Sequence, residues 1–187
     1  MGMNISRFVE IQISNKTQNI TLKDPRTHFF SGRILSAPQP SVSPGSSSSS
    51  KFTNSSIFWG CNGVLAYEAD SFTLAIYFSN PIDYNLFSVE MGLEMSLDKV
   101  HKKNLEATYD RMLRISHDSS SNGSMFPCVI LKENEDQAQL SVGPVTVTAT
   151  MARGRRAVIR VKVEDRENRG GVAGIGVPAP ARNAQEE

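Results

Sequence analysis

The stretch that most constrains the fold spans residues 71–88, S-F-T-L-A-I-Y-F-S-N-P-I-D-Y-N-L-F-S. Its apolar side chains recur at every second position, which places them on one face of a β-strand. They are Phe72, Leu74, Ile76 and Phe78. Ala75 and Tyr77 make the opposite face apolar as well. A strand that is apolar on both faces lies between two layers, so the chain is predicted to build a layered β-structure around it.

The same stretch predicts where this strand ends. Pro81 stops it because proline has no N–H to donate to a ladder. Asp83 and Asn85 then supply side chains that hydrogen-bond their own backbone in a turn. The sequence therefore predicts an aromatic loop over residues 81–87. From the pattern alone, the apolar side chains of this loop are best explained as a cap on the core.

Further strands follow from alternating or apolar runs along the chain. Residues 7–13 alternate as a half-buried strand, and residues 145–163 form the clearest hairpin of the sequence. Residues 57–67 are predicted as another strand, which places Trp59 in the core rather than at a membrane. The proline- and serine-rich residues 39–51 are predicted to form a mobile loop.

One segment has a helical period. Val100, Leu105, Tyr109 and Met112 recur at approximately helical spacing within residues 96–115, which predicts a short helix on the sheet surface. Asp98 is placed in its first turn, where the helix dipole favours an acid. Many short strands, one helix and no βαβ alternation favour an all-β sandwich.

Composition limits the class of protein. With 187 residues and 39% hydrophobic residues, the chain can bury one sizeable core. A net charge of +1 argues against nucleic acid as a partner. Cys61 and Cys128 are predicted to be small buried hydrophobes. The histidines lack the spacing of a metal site and no nucleophile elbow is present, so we expect no metal, no cofactor, no catalytic residues and no enzymatic activity.

Three segments carry motifs that resemble one family. Residues 78–88, F-S-N-P-I-D-Y-N-L-F-S, resemble the F-S-x-P-x-D-Y-N-x-Y-S signature of the actinoporins, the pore-forming cytolysins of sea anemones and their relatives. Residues 60–67, G-C-N-G-V-L-A-Y, are similar to the family's G-x-x-G-V-L-A-Y strand, and residues 27–32, T-H-F-F-S-G, resemble its T-Y-F-x-S-G. The resemblance covers roughly residues 7–115.

The resemblance implies a fold and a site. The fold is a β-sandwich of the actinoporin-like type with a short surface helix, here within residues 1–165; the charged and Gly/Ala/Pro-rich residues 166–187 are predicted to be a disordered tail. In the family, hydroxyls and aromatic rings on strand-end loops hold a phosphocholine headgroup. The matching positions are Ser31, Ser79, Pro81, Phe87 and Tyr109. Membrane contact is expected from Tyr84, Leu86 and Met91.

The chain departs from the family at several of these positions. Leu113 and Arg114 replace tyrosines, Asn62 stands in place of a valine, and residues 89–91, Val-Glu-Met, stand where the family has a pair of tryptophans. The first strand begins at about residue 7, without the amphipathic helix that precedes it in the family. We therefore expect this chain to bind membranes better than it lyses them.

Two functions are compatible with the sequence. The first is a membrane-binding, actinoporin-like cytolysin that recognises phosphocholine or sphingomyelin headgroups and, in its family, oligomerises on the membrane into a cation-permeable pore. The second is a non-lytic lipid- or glycan-binding module, similar to the fungal fruit-body lectins. In either case we expect a soluble protein that associates with target cell membranes. Residues 1–6 lack the pattern of a secretory signal, which leaves secretion open.

Overall fold

Two six-stranded sheets make up the protein in a computed structural model that describes residues 5–118 and 125–167. The first sheet contains, in spatial order, β10 (Ala138–Val142), β11 (Val145–Ala152), β12 (Arg156–Asp165), β1 (Phe8–Asn15), β5 (Ser47–Thr53) and β3 (Arg33–Ser36). The second contains β4 (Ser41–Val42), β2 (Leu22–Ser31), β6 (Cys61–Glu68), β7 (Thr73–Asn80), β8 (Glu90–Ser96) and β9 (Cys128–Leu131). A 3₁₀ turn (Val100–Lys102) and helix α1 (Leu105–His117) pack against the second sheet. The predicted all-β sandwich with a short surface helix is confirmed.

Strand β7 is buried on both faces, as its sequence predicts. Its inward row, with Ile76 and Phe78, joins the core between the two sheets, where the Phe78 ring stacks on Phe52 at 5.2 Å between centroids. Its outward row packs with Tyr77 beneath Met112 of α1 in a second, smaller cluster. Each large apolar side chain buried in this way contributes about 1.5–3 kcal/mol. The helix is therefore the third layer that an apolar outer face requires.

Strand β1 joins distant parts of the chain in the first sheet. It pairs in parallel with β12, where Ile11 lies opposite Ile159, and antiparallel with β5 on its other side. Ile11 and Ile159 are both buried in the core between the sheets. The predicted terminal hairpin is confirmed as β11 and β12, which pair antiparallel along their length.

The prediction of a loop over residues 39–51 was wrong. Residues 41–42 form β4, and the serine run 47–50 begins β5, which pairs with β1. Ser48 and Ser50 are buried, and the hydroxyl of Ser48 lies 3.3 Å from that of Tyr67. The serines carry no apolar alternation that a pattern could detect, but β1 needs a partner for its backbone groups and small side chains fit between the sheets.

Helix α1 starts later than predicted. Asn104 caps it, since its Oδ1 accepts a hydrogen bond from Ala107 N at 3.1 Å. Asp98 lies before the 3₁₀ turn and not in the first turn of the helix, so that placement was wrong. The two cysteines form no disulfide, and burial raises the pKa of each to about 12. Residues 168–187, most of the predicted tail, lie outside the described residues, and their disorder stays a prediction.

Candidate functional site

A groove of about 490 Å³ opens at the end of the second sheet where β7 stops and β8 begins. Two loops border it: the proline loop, residues 81–87, and the tryptophan loop, residues 54–60. Helix α1 contributes the remaining wall through Tyr109, Leu113 and His117. We call this concavity the aromatic groove. Its aromatic lining consists of Phe30, Phe58, Trp59, Phe87 and Tyr109.

Arg7, the residue before β1, anchors the proline loop. Its guanidinium Nε donates to the carbonyl of Pro81 at 2.8 Å, and its Cζ lies 4.6 Å from the centre of the Tyr84 ring. The Tyr84 hydroxyl donates in turn to Asn80 Oδ1 at 2.9 Å. Asp83 accepts a hydrogen bond from Asn85 N at 2.8 Å, which forms the predicted turn. The loop is thus fixed to the sandwich by its polar groups.

The apolar side chains of the proline loop face outward. Tyr84, Leu86 and Phe87 are 42%, 72% and 55% exposed, so their interpretation as a cap on the core was wrong. A side chain that caps a core would lose most of its exposed surface on folding. The exposed surface of these three side chains is available to contact another molecule.

The tryptophan loop forms the second border of the groove, and here the sequence prediction fails. Strand β6 begins at Cys61, so Trp59 lies before the strand and not within it. Ile57, Phe58 and Trp59 are 60%, 77% and 56% exposed, which makes a core role for Trp59 wrong. Gly60 holds the loop against the proline loop, because an added Cβ would lie 1.9 Å from the carbonyl oxygen of Asn80.

Aromatic rings continue from the tryptophan loop onto the helix. Trp59 meets Phe30 edge to face at 5.7 Å, and Phe30 stacks on Tyr109 at 6.0 Å with an angle of 6° between the rings. Tyr109 then contacts Tyr77 of β7 at 5.6 Å. Burial, followed by the charges of Asp110 and Glu90, raises the pKa of Tyr109 to about 12. Its hydroxyl therefore keeps its proton at neutral pH and remains a hydrogen-bond donor.

A row of four polar residues crosses the second sheet beneath these rings. Ser31 lies opposite Asn62, Asn62 opposite Ser79, and Ser79 opposite Glu90 in the strand registers. Paired residues share a face, so the row belongs to the outer face of the sheet. Ser79 Oγ donates to Asn62 Oδ1 at 2.7 Å, and the buried Ser31 hydroxyl has no hydrogen-bond partner among the described residues. Such an unsatisfied buried hydroxyl has capacity to bind a ligand.

The structure brings most of the sequence-predicted site residues together. Ser79, Pro81, Phe87 and Tyr109 line the aromatic groove, and Ser31 lies on the neighbouring strand opposite Asn62. Leu86 also lines it, and Tyr84 lies on the proline loop beside it. Their contact with phosphocholine or a membrane stays a prediction.

Met91 requires a correction. It was predicted to contact a membrane, but its side chain is fully buried in the core between the sheets. The reason is the alternation of β8, which turns Met91 inward and its neighbour Glu90 outward. Position 91 cannot therefore touch lipid in this conformation.

Several residues of the groove were not assigned to it from the sequence. Phe30, Phe58 and Trp59 supply three of its rings, and Glu90 with Asn62 contributes to its polar part. A usable signal was the run Ile57-Phe58-Trp59 between two serines and a glycine, since three large apolar residues beside turn formers are suited to an exposed patch.

No helix within the described residues combines the length and apolar character needed to cross a membrane. The comparisons of the sequence with models of protein families and with curated proteins gave no match. Solved structures do match the fold. One is the crystal structure of the lipid-binding protein Nakanori, with a TM-score of 0.65 and 14% identity over 86% of this chain and 71% of that one. Another is the lectin XCL of Xerocomus chrysenteron, with a TM-score of 0.51 and 9% identity over 84% of this chain and 99% of the lectin. The chain thus shares its β-sandwich fold with a lipid-binding protein and a mushroom lectin.

Proposed function

We propose that this chain is an actinoporin-like lipid-binding protein, and not an enzyme, whose aromatic groove receives the choline headgroup of a phospholipid. The observation that carries the proposal is the position of the polar row beneath a groove of aromatic rings, between two loops with exposed apolar side chains. A quaternary ammonium has no N–H group to donate and is attracted to aromatic faces. The groove offers such faces on Trp59, Phe87 and Tyr109.

The two loops are suited to contact the bilayer around the bound headgroup. Phe58 and Leu86 are the most exposed apolar side chains of the two loops, at 77% and 72%. Burying a side chain of this kind in an apolar environment contributes about 1.5–3 kcal/mol. Because Gly60 packs directly on Asn80, both loops present these side chains at the same end of the sandwich. This mode of binding is compatible with the association of several copies on a membrane and does not require it.

Sedimentation with phosphatidylcholine vesicles tests the proposal. We expect the wild-type protein to pellet with the vesicles, and the variants Trp59→Ala and Ser79→Ala/Phe87→Ala to stay largely in the supernatant. Leu97→Ala is the matched control, because Leu97 is 54% exposed but follows the opposite end of β8. Wild-type protein that fails to pellet, or equal pelleting of all four proteins, would contradict lipid binding at the groove. Dye release from the same vesicles shows whether binding leads to a pore.

Glycan binding is the second candidate. An aromatic face beside hydrogen-bonding side chains suits a sugar ring, and Trp59 lies in one groove with Asn62, Asp83 and Glu90. Binding of the wild-type protein to immobilised glycans, lost in Trp59→Ala and accompanied by no binding to phosphatidylcholine vesicles, would favour this function over the first.

A further inference from the structure

Glu90 is a carboxylate in the aromatic groove that has no cationic partner among residues 5–118 and 125–167. It is half-buried at the start of β8, and its Oε2 lies 3.3 Å from the hydroxyl of Tyr77, which donates to it. It takes part in no ion pair among the described residues. Arg153 reaches the backbone of the preceding residue, where its Nε donates to the Val89 carbonyl at 3.4 Å, but does not pair with Glu90.

The groove around Glu90 contains more negative than positive charge. Apart from the phenol of Tyr109, its acidic or basic side chains are Asp83, Glu90 and His117, and in the described part of the chain no lysine or arginine lines it. The remaining lining is largely aromatic or aliphatic. A partly desolvated carboxylate beside aromatic faces attracts a cation, whereas a phosphate would meet two carboxylates there. The electrostatics of the groove therefore favour the ammonium end of a zwitterionic headgroup over its phosphate end.

We propose that Glu90 is the counter-charge for the quaternary ammonium of the ligand, which enters the groove first and leaves its phosphate at the mouth. This inference rests on the proposed function and assigns the orientation and charge selectivity of the same site. The choline group is the outermost part of a phosphatidylcholine bilayer, so entry with the ammonium first requires no rearrangement of the lipid. The phosphate then stays in contact with water at the mouth of the groove and needs no basic residue.

The same geometry predicts a preference among ammonium groups. A primary ammonium carries three N–H donors and is strongly hydrated, so it needs several acceptors when it leaves water. The groove offers it the Glu90 carboxylate and aromatic faces, which satisfy fewer donors than water does. A quaternary ammonium has no donors to satisfy. Glu90 thus selects a cation, and the aromatic rings select its methylated form.

Trp59 allows the binding of a cation in the groove to be measured directly. It is the only tryptophan of the chain and it lines the groove, so intrinsic tryptophan fluorescence reports on this site alone. The probe is tetramethylammonium chloride, a quaternary cation without phosphate, titrated at constant ionic strength against sodium chloride. We expect a saturable change of Trp59 emission in the wild-type protein. Ammonium chloride and sodium phosphate at the same ionic strength are expected to leave the emission unchanged.

Glu90→Gln removes the charge of the carboxylate and keeps the size of the side chain. The amide oxygen can still accept the hydrogen bond from Tyr77, so the variant is expected to keep the fold, which its thermal unfolding midpoint checks. Its apparent Kd for tetramethylammonium should rise about tenfold, the loss expected for one favourable charge interaction at a partly solvated site. Glu90→Lys should abolish the response. Glu133→Gln, an exposed position in the turn after β9, is the matched control and should bind as the wild type does.

The outcomes separate this inference from the proposed function. Binding to phosphatidylcholine vesicles that is equal for the wild type and Glu90→Gln, with no response to tetramethylammonium, would overturn the role of Glu90 and leave lipid binding intact. A wild-type protein that binds no vesicles would overturn the proposed function. In that case a tetramethylammonium response that depends on Glu90 would still support the cation site.

Discussion

Glu90 and Glu94 lie on the same outward face of β8 and have opposite surroundings. Glu94 is fully buried, and its carboxylate accepts hydrogen bonds from Arg111 Nε at 2.9 Å and from His101 Nε2 at 2.8 Å. Glu90 is half-buried and accepts a hydrogen bond from the Tyr77 hydroxyl, with no cation beside it in the described structure. The comparison separates two uses of a carboxylate: one neutralised within the protein maintains the fold, and one left without a cation is available to a ligand.

Helix α1 and the turn before it produce this difference. Arg111 extends from the helix to Glu94, and His101 of the 3₁₀ turn links Glu94 to Thr73, whose Oγ1 lies 2.7 Å from His101 Nδ1. Because the carboxylate can only accept, His101 Nε2 donates to it, and a neutral ring then accepts from the Thr73 hydroxyl at Nδ1. In the groove around Glu90 the helix contributes Tyr109, Leu113 and His117, and no arginine or lysine.

The largest expected effect is on stability at Glu94. Glu94→Gln removes the charge that Arg111 and His101 share, and leaves a cation facing a buried amide. Removing one partner of a buried ion pair typically costs about 3–5 kcal/mol. Urea denaturation should therefore show a correspondingly lower free energy of unfolding with an unchanged m value. A loss below about 1 kcal/mol is typical of exposed ion pairs and would contradict the conclusion that Glu94, unlike Glu90, maintains the fold.

The comparison extends to a pair of apolar residues. Ile159 is fully buried in the core, and Ile159→Ala is expected to lower the free energy of unfolding by about 2–5 kcal/mol through the cavity it creates. Trp59 is exposed and contacts Phe30, so Trp59→Ala should cost less than about 1.5 kcal/mol. Denaturation and vesicle sedimentation should give opposite rankings for the two variants. A single variant that strongly reduces both quantities would show that groove and core are not separable.

Lowering the pH should remove the stabilisation that the Glu94 carboxylate provides. Burial raises the pKa of this carboxyl, but the hydrogen bonds from Arg111 and His101, together with the charge of Arg111, outweigh burial and hold its pKa below the ordinary value. The folded state therefore favours the carboxylate. This stabilisation is fully present above the unfolded pKa of about 4.3 and is lost as the pH falls through the folded pKa.

The melting temperatures of wild type and Glu94→Gln should accordingly converge as the pH is lowered from about 6 to about 3. The pKa of Glu68 is also lowered, mainly by its hydrogen bond with Lys102, but this carboxylate is present in both proteins and its effect cancels in the difference. A difference in melting temperature that stays constant over this range would contradict the assignment of the stabilising charge to Glu94.

The smallest expected effect is on stability at Glu90. Glu90→Gln keeps an acceptor for Tyr77 and breaks no ion pair, so the free energy of unfolding should stay within about 0.5 kcal/mol of the wild type. The same urea denaturation as for Glu94→Gln measures it. A loss comparable to that of Glu94→Gln would mean that Glu90 maintains the fold and is not reserved for a ligand.

The sequence predicts the parts of the fold that have a strong period. The inward apolar row of β7 and the hairpin of β11 and β12 follow from the alternation of apolar residues. Helix α1 follows from the helical spacing of its apolar residues. The serines of β5 have no apolar pattern, because its pairing depends on backbone groups of β1. No local pattern distinguishes Glu90 from Glu94 either. The hydrogen-bond partners of Glu94, His101 and Arg111, are seven and seventeen residues further along the chain, and only the packing of the 3₁₀ turn and α1 brings them to it.

The parallel pairing of β1 with β12 has a consequence for biosynthesis. Strand β1 leaves the ribosome before both of its neighbours in the sheet, and one of them, β12, comes about 150 residues later. Until then β1 can pair with β5 on one side and presents an open edge on the other. Long-range pairing of this kind slows folding and exposes nascent chains to aggregation. We therefore expect chains truncated before β12 to depend on chaperones for their solubility, even though every residue of the aromatic groove has already been made.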